Sequence, residues 1–278
     1  MGIKFNRTSK VQSIILLKSE IKNELKKELK DEIKSNSKIE TKNEVFTGHK
    51  PIPLKIANKV MKSICKISIK TKKGIFYGTG FFLKYSDSKK YLMTNYHIIN
   101  PNLENENIET EIHNENKMKL KFNNRFTKYL DKPKDIAIIE IKESDEIYKD
   151  IEFLDYDLNY KKGYSIYKGI DIFSVEHPYG DDASSASGII VNIYDYEFKH
   201  NISTDNGSSG CPIILLNNNI NSIQVIGIHK EGIYKKKLNG GTFIGRILDE
   251  ELNKELNEEL NDDQNNFIIA EIILRMKM

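Results

Sequence analysis

Apolar and polar residues alternate with a period of two over short segments in the middle of the chain, most clearly between residues 64 and 70. Such alternation is typical of half-buried β-strands, and turn residues separate the segments. The pattern predicts further strands at residues 76–84, 91–96, 117–126, 135–141, 164–167, 171–175, 186–194, 213–216, 222–229 and 242–247. The polar, Asn-rich residues 100–116 are predicted to form a surface loop. Many short strands with regular turns favour closed β-barrels.

Both ends of the chain differ from this β-rich middle. Lys and Glu interleave between residues 18 and 42, and apolar residues recur at every fourth position, namely Leu17, Ile21, Leu25, Leu29 and Ile33. This spacing predicts a charged helical extension over residues 1–50. The extension is either a solvated helix or a surface that binds a protein partner. Near the other end, leucines repeat in the same way and predict a helical segment, at Leu248, Leu252, Leu256 and Leu260.

Composition excludes several classes of function. Lys and Arg number 43 against 40 Asp and Glu, and a net charge of +3 gives no footprint for binding nucleic acid. Two cysteines, Cys65 and Cys211, form no disulfide framework and fit a reducing compartment. No apolar run near the start is long enough for a signal peptide, and residues 267–276 are too few to span a bilayer. We therefore expect an intracellular, cytoplasmic protein with no membrane span.

One turn carries the strongest chemical signal. Gly207 and Gly210 bracket Ser209, and an apolar strand follows directly. Glycines let the backbone bend tightly there, so the serine hydroxyl can be presented to a cleft. The N–H groups of Gly207 and Ser209 could then face the oxygen that becomes negative when a carbonyl is attacked. The simpler interpretation is an ordinary hairpin turn built from Gly, Ser and Asn.

Three other blocks favour the chemical interpretation. They are Gly78 to Phe81 in a predicted strand, Thr94 to His97 at a strand end, and Asp135 to Ala137 at a strand start. Together with the Ser209 turn, they match the phrases G-x-G-F, T-x-x-H, D-I-A and G-x-S-G-x-P in order. The chain thereby resembles the trypsin-like (chymotrypsin-fold) serine peptidases over residues 60–248. Its motifs are most similar to the bacterial-type branch with the glutamyl endopeptidases and the HtrA-like proteases.

The resemblance implies an all-β core of two antiparallel β-barrels with the active site in the cleft between them. Residues 51–150 would form the first barrel with His97 and Asp135, and residues 151–248 the second with Ser209. Residues 1–50 and 249–278 would be the charged helical extensions.

The resemblance also implies a serine endopeptidase with a Ser-His-Asp triad and no cofactor. Ser209 would be the nucleophile, His97 the general base and acid, Asp135 the group that orients His97, and the N–H groups of Gly207 and Ser209 the oxyanion hole. Three alternatives compete for these roles: Asp131 or Asp145 for Asp135, Ser208 for Ser209, and a Cys211 thiolate as nucleophile instead of a buried cysteine.

Substrate preference follows from the residues around the expected pocket. Trypsin-type enzymes place an Asp six residues before the nucleophile, and Ser203 stands there instead, which argues against cleavage after basic residues. Thr204 and His229 resemble the residues with which glutamyl endopeptidases bind an acidic side chain. The alternative is that His229 is a structural part of its strand. The segment from Lys230 to Gly232 is expected to pair with substrate backbone, and Lys230 to place a cation near the pocket mouth.

Further expectations concern activation and partners. Ser208 replaces the Asp that pairs with a new N-terminus in digestive members, so no such activation is expected. The histidines at positions 49, 113, 177 and 200 show no metal-ligand spacing. The expected partner is a polypeptide substrate, and a protein partner could bind through the terminal helices. A second function class stays open, that of a binding module with a protease fold and no catalysis.

Overall fold

The computed structural model describes residues 50–72, 74–103, 107–112, 117–216, 222–233 and 238–254, all within one structural unit. Residues 1–49, which include all but the last residue of the predicted helical extension, lie outside this part of the chain. Residues 255–278 lie outside it as well. The division of the chain into four parts therefore stays a prediction.

A short helix, α1 (Leu54–Met61), precedes the first seven strands. These are β1 (Ile64–Thr71), β2 (Gly74–Lys84), β3 (Lys90–Thr94), β4 (Asn107–Ile112), β5 (Lys117–Lys119), β6 (Thr127–Leu130) and β7 (Ile136–Glu140). They form one antiparallel sheet in the order β5-β4-β1-β2-β3-β7-β6. We call this sheet the first sheet.

The second seven strands form the other half of the molecule. They are β8 (Asp155–Tyr156), β9 (Asp171–Glu176), β10 (Ser184–Tyr194), β11 (Glu197–His200), β12 (Pro212–Leu215), β13 (Gln224–Ile233) and β14 (Leu238–Phe243). Their order is β12-β9-β10-β11-β14-β13-β8, and β12 also pairs with β13. Six of these strands therefore close into a barrel, which we call the second barrel. Short 3₁₀ helices occur at Pro101–Leu103, Leu158–Lys162, Tyr164–Tyr167 and Pro178–Gly180.

In the first sheet, residues 78–83 of β2 and most of β3 and β7 are buried on both faces. On β2, Phe81 and Leu83 pack into a core that is shared with the second barrel, while Phe82 packs into the first sheet's own core. β3 and β7 split their side chains between the same two cores. Two-sided burial explains why these strands show apolar runs and β1 shows alternation. It also joins the two halves of the molecule through one continuous apolar layer.

A helix that we call α2 occupies residues 245–254. Leu248 and Leu252 are fully buried in the shared core, one turn apart. The leucines spaced four residues apart thus form an apolar stripe that packs on the shared core. This holds for the described part of the predicted C-terminal segment. The hydroxyl groups of Tyr156 and Tyr160 donate hydrogen bonds to the Asp249 carboxylate. The bond from Tyr156 is 3.1 Å long.

Three predictions of secondary structure are wrong, namely the strands at 164–167 and 242–247 and the loop at 100–116. The last strand ends at Phe243, and helix α2 already begins at residue 245. Residues Tyr164–Tyr167 form a 3₁₀ helix and no strand, because Gly163 turns the backbone at φ +97° and both tyrosines are buried on one side. The Tyr164 ring stacks on Phe243 with ring centroids 4.2 Å apart. This packing is decided by residues distant in the sequence, so period-two counting could not find it.

The polar segment 100–116 contains a strand that the Asn-rich composition concealed. In β4, Ile108, Thr110 and Ile112 are buried, while Glu109 and Glu111 point outward. The Glu111 carboxylate lies 3.1 Å from the Lys66 ammonium and 3.3 Å from that of Lys117 on the flanking strands. Cross-strand charge pairs of this kind make glutamate acceptable in a strand. The predicted strand at 117–126 is correspondingly short, ending at Lys119.

Candidate active site

Asp135 lies on the loop directly before β7, and the structure directs its carboxylate at His97. The Oδ2 atom is 2.7 Å from His97 Nδ1, and the Oδ1 atom accepts the His97 backbone N–H at 2.9 Å. The carboxylate is buried, with 3% of the residue exposed. An acceptor at Nδ1 holds the imidazole in the tautomer whose Nε2 is free to take a proton.

The backbone of Asp135 adopts an unusual conformation to make these contacts. Its φ is +57°, in the left-handed region that residues other than glycine rarely adopt. Asn95 supports it by donating from Nδ2 to the Asp135 carbonyl at 2.9 Å. The competitors Asp131 and Asp145 do not face His97. Asp131 Oδ1 accepts the backbone N–H of Lys132, and the Asp145 carboxylate forms a two-point ion pair with the Arg125 guanidinium.

Ser209 stands on a turn that only glycine can complete at its two ends. Gly207 and Gly210 have φ values of +94° and +92°. A Cβ on Gly207 would lie 2.6 Å from the carbonyl oxygen of His177, and one on Gly210 would lie 2.1 Å from that of Thr79. The glycines therefore allow the turn to pack directly on neighbouring backbone. Ser209 and His97 line the same cavity, of about 1010 Å³.

Thr79 clamps this turn to the first sheet and was missed as a site residue. Its N–H donates to the Ser209 carbonyl at 2.9 Å, and its hydroxyl donates to the Gly207 carbonyl at 2.9 Å. The same hydroxyl accepts the N–H of His177 at 3.0 Å. The signal was present in the sequence, because a threonine between two strand glycines marks a close backbone approach.

The backbone donors of the turn divide into two groups. The N–H groups of Ser208, Gly210 and Cys211 donate to backbone carbonyls at 3.0–3.1 Å. The N–H groups of Gly207 and Ser209 donate to no backbone carbonyl in the described part of the chain. Two uncommitted N–H groups on one tight turn are what an oxyanion requires from its binding site.

The hydroxyl of Ser209 is oriented by the second barrel. Its Oγ atom donates to the carbonyl of Lys230 across 3.5 Å, which is a long hydrogen bond. No hydrogen bond joins it to His97 across these two described residues. Catalytic hydrogen bonds are often long or misaligned until a substrate is bound, so this geometry is compatible with the expected roles.

The alternative nucleophiles are both enclosed. Ser208 is fully buried, and its Oγ accepts the N–H of Asp205 at 3.0 Å. Cys211 is fully buried, and burial together with the nearby Glu176 carboxyl raises the pKa of its thiol well above the ordinary value. A buried thiol of raised pKa forms little thiolate and is a poor nucleophile. Cys65, the other free cysteine, is also buried.

A buried carboxyl group lies behind the Ser209 turn. Glu176 is 3% exposed, and its Oε2 atom lies 3.5 Å from the Cys211 sulfur and 3.4 Å from the Ser174 hydroxyl. Burial raises its pKa to about 7, while hydrogen bonds from Cys211, Ser208 and Ser174 act in the opposite direction. The group is therefore largely neutral under mildly acidic conditions, which limits negative charge near the turn.

Four of the residues that were expected to bind substrate line the cavity beside Ser209. Ser203, Thr204, His229 and Gly232 all contribute to it. Opposite them, the first sheet contributes an apolar rim that includes Ile75, Phe76 and Tyr77, each more than a third exposed.

A second histidine lies behind His229 and was missed. The Nε2 atom of His200 is 3.2 Å from Nδ1 of His229, and both residues are buried. Burial lowers the pKa of both imidazoles, and burial together with the nearby His97 brings that of His229 to about 4. The two neutral rings therefore share one proton between Nε2 and Nδ1. When His200 donates it, His229 carries its own proton on Nε2.

The side chain of Lys230 does not take the place that was expected for it. Lys230 is 8% exposed and does not line the cavity. Its ammonium group bonds the Glu197 carboxylate and donates to the Pro133 carbonyl at 2.9 Å. A buried ammonium requires a paired carboxylate, and Glu197 supplies one from β11, on the far side of β14. The expectation of a cation at the pocket mouth is therefore wrong.

Of the four histidines without metal-ligand spacing, His177 and His200 lie in the described part of the chain, and His49 and His113 lie outside it. His177 is buried, with Nδ1 3.0 Å from the Asp181 carbonyl oxygen. Within the described ranges, no group of three His, Cys, Asp or Glu residues is arranged to hold a metal ion. No helix in this part of the chain is long and apolar enough to cross a membrane.

Comparison with known families identifies the class of protein. A family model described as "Trypsin-like peptidase domain" matches residues 78–228, which is more than half of the chain. The chain belongs to this family of trypsin-like peptidases. A search of curated proteins gives no match.

Two bacterial proteases of known structure share this fold. A serine endoprotease from Yersinia pestis superposes with a TM-score of 0.54 at 16% identity, covering 74% of this chain and 67% of that one. The active form of the Rv3671c protease from M. tuberculosis gives 0.52 at 16% identity, covering 72% and 83%. The predicted chymotrypsin-type fold is confirmed. Family and fold together support a hydrolase that acts as a serine endopeptidase on polypeptides.

Proposed function

We propose that this protein is a serine endopeptidase whose triad consists of Ser209, His97 and Asp135. The observation that carries the proposal is the pairing of both Asp135 carboxylate oxygens with His97 in the cavity that Ser209 also lines. A serine hydroxyl is a weak nucleophile at neutral pH, and a neutral imidazole of fixed tautomer is the base that activates it.

The steps follow from these positions. His97 Nε2 takes the Ser209 proton as Oγ attacks the peptide carbonyl, and the N–H groups of Gly207 and Ser209 stabilise the oxyanion. Asp135 stabilises the imidazolium, which then gives the proton to the leaving amine. Water then attacks the acyl carbonyl while His97 Nε2 takes its proton. The Oγ–acyl bond breaks, the carboxylic acid leaves, and the imidazolium returns a proton to Ser209 Oγ.

The test is covalent labelling with a fluorophosphonate, which reacts with an activated serine. We expect stoichiometric labelling of wild-type protein, found at Ser209 by peptide mass spectrometry. Ser208→Ala is the matched control because Ser208 is adjacent but buried, and it is expected to label normally. Absence of labelling in folded wild-type protein would contradict the proposal and favour a binding module without catalysis. An alkylating reagent that reacts at Cys211 would instead favour a thiol nucleophile.

We further propose that the enzyme prefers an acidic residue before the cut. Ser203 and Thr204 offer hydroxyls in the cavity, and the Nε2 proton of His229 completes a set of donors for a carboxylate. His200 supports this role when its Nε2 donates to His229 Nδ1, because His229 then carries its own proton on Nε2. Gly232 and the backbone from Lys230 onward would pair with the substrate chain on the side before the cut.

Replacing His229 with alanine is expected to reduce the preference for Glu over Gln by about 10- to 100-fold, because a hydrogen bond to a charged group contributes about 1.5–3 kcal/mol. The measurement compares kcat/KM for two peptides that differ only by Glu or Gln before the cut. His177→Ala is the control histidine, since it lies outside the cavity lining. An unchanged ratio in His229→Ala would show that His229 has only a structural role.

A further inference from the structure

Lys230 occupies an irregular point of β13, next to the Ser209 turn. The strand pairs with β14 through His229 and Gly241, then through Glu231 and Gly240, so Lys230 is the extra residue of a β-bulge. A bulge leaves one residue of the strand unpaired. Bulges are common beside active sites, where they change the direction in which that residue points. Here the redirected carbonyl of Lys230 accepts from Ser209 Oγ at 3.5 Å.

The side chain of the same residue reaches the loop that carries Asp135. Its Nζ atom donates to the Pro133 carbonyl at 2.9 Å and bonds the Glu197 carboxylate. Thr242, opposite Glu197 on the adjacent strand, donates from its hydroxyl to the Lys134 carbonyl at 2.9 Å. Two side chains of the second barrel therefore hold the two carbonyls directly before Asp135.

The Asp135 loop needs such support for a physical reason. A non-glycine residue at φ +57° is strained, and strained residues persist only where the surrounding structure holds them. Both carboxylate oxygens of Asp135 must also stay within hydrogen-bond distance of His97. A small rotation of the loop would lengthen both contacts at once.

We infer that Lys230 is a positioning residue that aligns the Asp135–His97 pair of the first sheet with Ser209 of the second barrel. The inference rests on the proposed function for its effect on catalysis. Lys230 touches both ends of the triad, through its carbonyl at Ser209 and its ammonium at the Asp135 loop. Its positive charge is used inside the protein, paired with Glu197, and is not available to an acidic substrate.

The test uses Lys230→Met in the full chain, which keeps most of the stem and removes both bonds of the ammonium. We expect kcat to fall about 10- to 100-fold, because a displacement of about 1 Å in a catalytic group can cost about 10²-fold. The fall should be equal for the Glu and Gln peptides, and KM should change less than twofold. A cation acting on substrate would instead raise KM for the Glu peptide alone, and that outcome would overturn the inference.

A second readout is independent of activity. The proton shared by His97 Nδ1 and Asp135 gives a far-downfield NMR resonance, which we expect to shift or broaden in Lys230→Met. Lys161→Met is the control, because Lys161 is an exposed lysine of the 3₁₀ helix Leu158–Lys162 whose ammonium pairs with Asp249 instead of a residue of the Asp135 loop. It should keep the wild-type resonance and kcat. A wild-type resonance in Lys230→Met would contradict the inference even if the protein showed no peptidase activity.

Thr242→Val and Glu197→Gln keep the inference testable if Lys230→Met does not fold. Thr242→Val removes only the hydrogen bond to the Lys134 carbonyl, without changing charge or volume appreciably. We expect it to move the resonance and kcat in the same direction by a smaller factor. Glu197→Gln keeps the donor to Pro133, so it should retain more activity than Lys230→Met. Wild-type behaviour of Thr242→Val would show that the second barrel does not hold the loop.

Discussion

Replacing Ser209 with alanine is expected to lower kcat by about 10⁶-fold while KM stays within a few-fold of wild type, because the covalent route is lost and the binding surface is kept. His97→Ala should cost about as much, since the serine hydroxyl without a base is nearly unreactive. The double variant should lose no more than either single variant, because the two residues act as one unit. The measurement is kcat and KM for one cleaved peptide across the three variants.

Ser208→Ala serves as the matched control for this series, since it changes the neighbouring buried hydroxyl. It should keep kcat within about tenfold of wild type, well above the loss at Ser209. Additive losses in the double variant, or substantial activity in Ser209→Ala, would contradict the triad. Full activity in Ser209→Ala together with its loss in Cys211→Ser would assign the chemistry to the thiol.

The second large effect is expected at Gly210. In Gly210→Ala, the new Cβ would lie 2.1 Å from the Thr79 carbonyl oxygen and 2.4 Å from Thr94 Oγ1, with φ at +92°. Left-handed backbone costs about 1–2 kcal/mol for an L-residue, and overpacking adds about 1–3 kcal/mol. We therefore expect the free energy of unfolding to fall by roughly 2–5 kcal/mol. Fluorophosphonate labelling of Ser209 should be lost even in the folded fraction, because the turn must move to accept the methyl group.

Gly169→Ala separates strain from crowding. Gly169 also has a positive φ, +77°, but no atom lies within 4 Å of the position of its Cβ. The variant should lose only about 1–2 kcal/mol and label normally. The measurement is the free energy of unfolding of both variants by chemical denaturation. Equal stability of the two would indicate that the Ser209 turn tolerates displacement and that the close packing on Thr79 is not required.

The sequence predicted a strand wherever the strand's own residues showed alternation or an apolar run. β1 showed its alternation, and β2, β3 and β7 showed apolar runs, because burial on one or both faces determines which residues a strand tolerates. The 3₁₀ turn at Tyr164–Tyr167 and strand β4 were missed for the opposite reason. Their conformations depend on Phe243, Lys66 and other partners that are distant in sequence.

The candidate site divides in the same way. The sequence alone determined Ser209, His97 and Asp135 as candidates and Gly207 and Gly210 as bends, because a nucleophile turn and a strand-end histidine impose residue types locally. Only the tertiary structure decided that Thr79 clamps the turn, that His200 lies behind His229, and that the Lys230 ammonium faces inward. Lys230 finds Glu197 and Pro133 at separations of 33 and 97 residues. A flexible side chain takes its direction from such partners, and a linear sequence does not specify which partners folding brings within reach.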